Sequence, residues 1–440
     1  MRPRLRFLVL TLGLVTSAVV ALLAMAGAGA EVMDDAFIVL VYARRLASGQ
    51  PIVWNLGGER VDGYTSALDM ALKAAVLAIA PGDPVRDAHV VTIVLHVASV
   101  VLSGGIAYRA ARDAGRLGLA IGTLAALASA TNLALAQSAG FLLEGPLYAT
   151  TMMAALGLLL YARLERPGPR IALGLSWLLV GLARPEGMAI AILQAALFVA
   201  MNRRRLPARA LAVPCAIGLG GLTLYLAWHR AYFGWFAPNT YYAKTSDSRW
   251  NEIVDGARYV RGWVQAPARL VTHLLILLVP LVVAVRGAWR SDDDRRRAGV
   301  AGAVGLVGVA EVVVSGGDMY PGGRFLAVPI ACLLLTAAVA AVGLRDRWRA
   351  LAVVPLALFT VEGAIRIAPY PEKRLERIAR WPATLEDFAC ERAAIEVVAR
   401  RASSFAETDM ARAKLFDDRL RVTDLAGLND VARAHRPSPG

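Results

Sequence analysis

Long apolar runs separated by short polar ones dominate this chain. They fall near residues 7–29, 88–108, 117–137, 144–161, 171–183, 187–201, 209–229, 270–285, 298–314, 325–344 and 350–367. A helix needs roughly 20 mostly apolar residues to cross a bilayer. The pattern therefore predicts an all-α polytopic membrane protein of about eleven spans. The shorter runs flanking Arg184 predict tilted partners or a re-entrant pair. A further run, 67–80, carries Asp69 and Lys73 and has the length of one interfacial helix, so it is expected to lie against the bilayer.

The polar runs set the orientation. Basic clusters lie at the N-terminus and at 109–116, 163–170, 203–209, 286–297 and 345–349. Lys and Arg collect in cytoplasmic loops, and placing every cluster inside turns each alternate connection outward without exception. The outward segments are then 30–87, the turn before Glu144, the turn at Arg184, the 230–269 and 315–324 loops, and the tail from about 368. This predicts a transmembrane domain over 1–367, with amphipathic helices in a first outer loop at 30–87, and a small extracytoplasmic region over 368–440. Arg2, Arg4 and Arg6 before a run ending in Ala26 to Ala30 resemble a signal peptide. The run is longer than a usual signal core and the rest of the chain is also membrane-embedded, so a retained first helix is expected.

Composition agrees, at 57% hydrophobic and 19% charged residues. The net charge of +14 would suit nucleic acid, but the arginines sit in short loops between spans, which argues against that partner. Cys215, Cys332 and Cys390 are far apart and imply no disulfide framework. There is no GxxxxGK[ST] loop, no GxSxG elbow and no zinc-type Cys/His spacing, and the five scattered histidines are read as structural.

Candidate chemistry gathers in the outward segments. Asp34 and Asp35 open the first loop directly after the first span. One carboxylate could take a proton from a hydroxyl while the other positions it, or the two could hold a divalent cation. Alternatively, Asp34 caps a helix running through Tyr42. Trp54-Asn55 and Asp62-Gly63-Tyr64-Thr65-Ser66 offer ring faces, amides and hydroxyls suited to a sugar, although aromatics also enrich at membrane interfaces. Arg184-Pro185-Glu186 puts an ion pair or a cavity-facing pair at a helix break, and Glu144 opens another span. From Tyr232 to Lys244, thirteen residues hold six aromatics, Asn239 and a cation that could meet a phosphate. Gly316-Gly317-Asp318 and Gly322-Gly323-Arg324 combine freed backbone N–H groups with an arginine fork for an anion.

In order along the chain, several of these motifs resemble one family. Asp34-Asp35-Ala36-Phe37-Ile38, Gly63-Tyr64-Thr65-Ser66, Arg184-Pro185-Glu186-Gly187, Pro238-Asn239-Thr240-Tyr241-Tyr242-Ala243-Lys244, Gly316-Gly317-Asp318 and Gly427-Leu428-Asn429-Asp430 look like the bacterial terminal β-(1→2) arabinofuranosyltransferases and their relatives. The resemblance implies a GT-C fold in the bacterial inner membrane and an inverting transfer from a polyprenyl-phosphate sugar, such as arabinofuranose, to an envelope glycan on the outer face. By position, Asp34 is implied as the catalytic carboxylate that deprotonates the acceptor hydroxyl, with Asp35 beside it. Arg324, Lys244 and Arg184 are the expected phosphate ligands. Trp54, Asn55, Tyr64, Glu144, Glu186, Asn239, Tyr241, Tyr242 and Asp318 are the expected sugar or acceptor contacts, and a divalent cation is the one candidate cofactor. The competing reading is a transporter or flippase of lipid-linked sugars. Such a protein should carry internal repeats and polar residues at the midplane of several spans; the sequence has no evident repeat, and its polar residues concentrate in loops.

Overall fold

The computed structural model describes residues 3–27, 32–80, 82–245, 248–265, 269–318, 320, 322–368, 383–408 and 411–435. The expected end of the first span at Ala28 to Ala30, together with Glu31, Met319, Pro321, residues 369–382 and residues 436–440, lies outside the described residues.

Among the described residues, every apolar run is built of helix. The order is α1 (Pro3–Gly27), α2 (Asp34–Ala47), α3 (Ala67–Ile79), α4 (Pro84–Ala111), α5 (Arg116–Ala130), α6 (Leu133–Gly140), α7 (Gly145–Tyr161), α8 (Pro167–Ala183) and α9 (Glu186–Asn202). Then α10 (Ala208–Cys215) passes through a π turn into α11 (Gly221–Phe233), followed by α12 (Asn239–Lys244), α13 (Arg249–Val264), α14 (Leu270–Arg286), α15 (Asp292–Val314), α16 (Ala327–Gly343) and α17 (Asp346–Ile367). The C-terminal region adds α18 (Ala389–Ala399), α19 (Ala411–Phe416) and α20 (Val431–Ala434).

Among the described residues, six helices are long and apolar enough to cross a membrane, or seven if α5 and α6, bent by 51°, form one span. The helices α7, α8, α9 and Leu270–Val283 of α14 are apolar but shorter. The chain is therefore an all-α polytopic membrane protein in which eleven apolar units are helical and six or seven have full spanning length. One addition to the all-helical expectation is a parallel strand pair, β1 (Ser404–Glu407) with β2 (Arg421–Asp424), in register Ser404 to Arg421.

Two cores form. In the bundle, α16 is apolar all round and buried along almost its whole length against α15, α17, α4 and α5, as a central helix must be. The second core joins the first loop to the C-terminal region: Phe37, Leu40, Tyr42, Trp54 and Tyr64 pack with Ala411, Leu415, Leu420 and Val422.

Local chemistry starts the first-loop helices. The Ser66 hydroxyl accepts from the N–H of Asp69 and so caps α3, while Asp83 caps α4 ahead of Pro84. The polar residues of α3 turn inward: Lys73 donates to Asp69 at 2.6 Å and to the Leu142 carbonyl at 3.0 Å, both side chains being buried. Burial pushes the Asp69 carboxyl up, against the pull of Lys73. The face of α3 left open carries Ala71, Ala75, Ala78 and Ile79. An apolar open face suits contact with a bilayer.

Candidate functional site

A cavity of about 950 Å³, its open mouth included, lies between α2, the 63–66 segment, the turn before α7, the α8–α9 break, α12, α15 and the turn before α16. Seven residues expected to act on substrate line it: Asp35, Tyr64, Glu144, Arg184, Glu186, Lys244 and Arg324. They come from segments far apart in the chain, so only the packing unites them.

The acidic pair divides. Successive residues of a helix point about 100° apart, and α2 sends its first two side chains to different places. The Asp34 carboxylate accepts the N–H groups of Ala411 at 3.1 Å and Arg412 at 3.3 Å, with the Arg412 guanidinium 3.8 Å away. It thus caps the start of α19 rather than its own helix. Asp35 is half-buried on the cavity wall and has no hydrogen-bond or ion-pair partner among the described residues. Of the two acids expected to act on substrate, Asp35 lines the cavity, whereas Asp34 is engaged by the backbone at the start of α19.

Arg184 reaches the cavity because Pro185 follows it. A residue before proline is driven into extended backbone, and Arg184 has φ −156° and ψ 146° at the end of α8. Its guanidinium pairs with Glu144, donates from Nε to Glu186 at 2.8 Å, and lies 4.6 Å from the Phe325 ring centroid. Burial works against its charge, and the two glutamates override that to hold it firmly protonated. Arg324 follows two glycines with positive φ, 142° at Gly322 and 82° at Gly323. A Cβ on Gly323 would also meet Trp263 at 2.5 Å, so the tight turn before α16 needs glycine there. Arg324 forks onto Asp318, with Nη2 to Oδ1 at 3.1 Å, and lies over Tyr320 and Phe325. Lys244, at the end of α12, is exposed and forms no ion pair among the described residues. The buried Tyr64 packs edge-on against Tyr42, with centroids 5.0 Å apart, and burial raises its phenol well above the usual range.

Other expected sugar contacts lie outside the cavity. The Trp54 indole donates to the Val422 carbonyl at 3.0 Å, and the Asn55 side chain exchanges two hydrogen bonds with the Val422 backbone, at 2.9 and 3.0 Å. Asn239 Nδ2 donates to the carbonyls of Gly427 and Leu428, each at 2.9 Å, while its backbone N–H reaches Asp62. Asp62 also meets His229 at 2.7 Å, and burial raises the Asp62 carboxyl against the pull of that histidine. Asp318 positions Arg324. Tyr241 receives a hydrogen bond from Arg249, and Tyr242 packs on Trp235 and His435. The polar and aromatic character of these motifs goes largely into joining segments of the chain.

One cavity residue escaped the sequence reading. Glu311, on α15, lines the cavity, and its Oε1 is buried with no hydrogen-bond partner. A lone carboxylate inside an apolar span was the available signal. For a divalent cation, the acidic pair does not fit, because Asp34 is engaged at α19 while Asp35 faces the cavity alone. Among the described residues, no group of three His, Cys, Asp or Glu side chains is arranged to hold a metal ion.

No family model and no curated protein matches this chain. Among solved structures it is similar to one titled "Crystal Structure of ArnT from Cupriavidus metallidurans bound to Undecaprenyl phosphate", with 15% identity and a TM-score of 0.49, covering 97% of this chain and 76% of that one. A likeness that loose bears on neither fold nor function here.

Proposed function

We propose that this protein is an inverting membrane glycosyltransferase of the GT-C type, moving a sugar from a polyprenyl-phosphate donor to an envelope glycan on the outer face of the bacterial inner membrane. The observation that carries the reading is the cavity itself: an unpaired acid, Asp35, shares it with the cations Lys244, Arg184 and Arg324. An acid able to take a proton beside cations able to receive a phosphate is what this transfer needs.

In the proposed reaction Asp35 accepts the proton of an acceptor hydroxyl as its oxygen attacks the anomeric carbon. The bond from that carbon to the phosphate oxygen breaks, and the polyprenyl phosphate leaves with the electron pair. Lys244 and Arg324 stabilise the phosphate; Arg184, already sharing its charge between Glu144 and Glu186, holds the wall. Direct displacement inverts the anomeric centre. The order of motifs from Asp34 to Asp430 supports a pentofuranose such as arabinofuranose as the sugar.

The test is turnover by purified protein in bilayer nanodiscs, supplied with labelled polyprenyl-phosphate sugars and an envelope glycan acceptor. The expected product carries one added sugar of inverted configuration. Translocation of labelled lipid across vesicles with no transfer would favour the flippase reading instead.

A further inference from the structure

We propose that Glu311 binds hydroxyls of the donor sugar and so selects which lipid-linked sugar the cavity accepts; the proposal rests on the glycosyltransferase reading of this same cavity. Gly308, Glu311 and Val312 all line the cavity, and their i, i+3, i+4 spacing puts them on one face of α15. The carboxylate therefore faces the cavity from a helix that is otherwise apolar along its membrane-spanning part.

What sets Glu311 apart from the other glutamates of the cavity is that its side chain has no partner among the described residues. Glu144 and Glu186 share Arg184, and Asp318 is forked by Arg324. Glu311 Oε1 is buried and has no hydrogen-bond partner among the described residues. A buried acceptor left unpaired is costly, the more so within a span, unless a ligand supplies the missing donors. Phosphate oxygens have no hydrogen to give an open acceptor, so Glu311 would meet the end of a bound donor away from the lipid phosphate. That end is the sugar, whose neighbouring hydroxyls are donors a carboxylate can accept. The acceptor hydroxyl, in contrast, must meet Asp35, which comes from α2 in the first loop. Phosphate at Lys244 and Arg324 and sugar at Glu311 give the donor one orientation in the cavity.

The experiment compares binding of two lipids to nanodisc-embedded protein, polyprenyl phosphate with and without its sugar. In Glu311→Ala the sugar-bearing lipid should bind about 10- to 100-fold more weakly, while bare polyprenyl phosphate binds as in wild type. Glu311→Gln, which keeps an acceptor oxygen, should fall between the two. Among donors lacking a single ring hydroxyl, at least one should bind wild type and Glu311→Ala equally. Equal weakening for both lipids, or none for either, would overturn the proposal. A wild type that binds the lipids yet transfers nothing would instead overturn the enzymatic reading, and the binding comparison would still decide the role of Glu311.

Discussion

The seam between the first loop and the C-terminal region and the cavity beside it use the same kinds of residue to opposite ends. At the seam, polar side chains are spent on other segments of the chain: Arg44 on the Leu415 carbonyl, Arg45 on Asp418 and Trp54, and Tyr42 on Asn429. Burial pulls the Arg45 guanidinium and the Lys414 ammonium down, against Asp418, so holding these charges inside the seam is costly. In the cavity, Asp35, Lys244 and Glu311 keep polar side-chain atoms without a partner among the described residues. Burial makes an unpaired polar atom costly, and the proposed ligand would supply the partner that Glu311 Oε1 lacks. The two neighbours Asp34 and Asp35 stand on either side of this division.

Three substitutions test that contrast. The largest effect is expected in the cavity: Asp35→Asn should lower the transfer rate by about 10²- to 10⁴-fold, the range of a lost general base, with the thermal midpoint unchanged. Near-normal transfer in this variant would remove Asp35 from the chemistry. At the seam, a Cβ on Gly63 would fall 1.7 Å from Asn429 Oδ1. Gly63→Ala must therefore displace the Asn429 amide from Tyr42 and Asp424, costing about 1–3 kcal/mol, readable as a lowered unfolding temperature in detergent. An unshifted midpoint would mean the seam yields easily. The smallest effect belongs to Asp34→Asn, which should cost about 1 kcal/mol of stability through the weakened cap on α19 and leave transfer largely intact. Loss of transfer at full stability would reverse the assignment of the two acids.

Much of the fold was legible in the chain, because the signal for a span is local. Each apolar run is long enough to declare itself, and each became one helix or two in succession. What hydropathy could not give was spanning length, since α5 and α6 bend by 51° within a single apolar run. The site was legible as a neighbourhood. Half of the residues expected to act on substrate line one cavity, while Trp54, Asn55 and Asn239 turned out to bind other parts of the chain. An aromatic beside an amide has the same look in a sugar site as in a turn that ties two segments together. Glu311 was overlooked for the opposite reason, since the apolar run around it hid its charge.

Sequence by itself thus determined that this chain lives in a membrane, where its helices lie, and which loops hold its polar chemistry, because burial in lipid is decided run by run. Only the tertiary structure decided which of two adjacent aspartates lines the cavity. That choice depends on α19, packed against α2 from nearly four hundred residues along the chain, and on the turn of a helix that points neighbouring side chains in different directions.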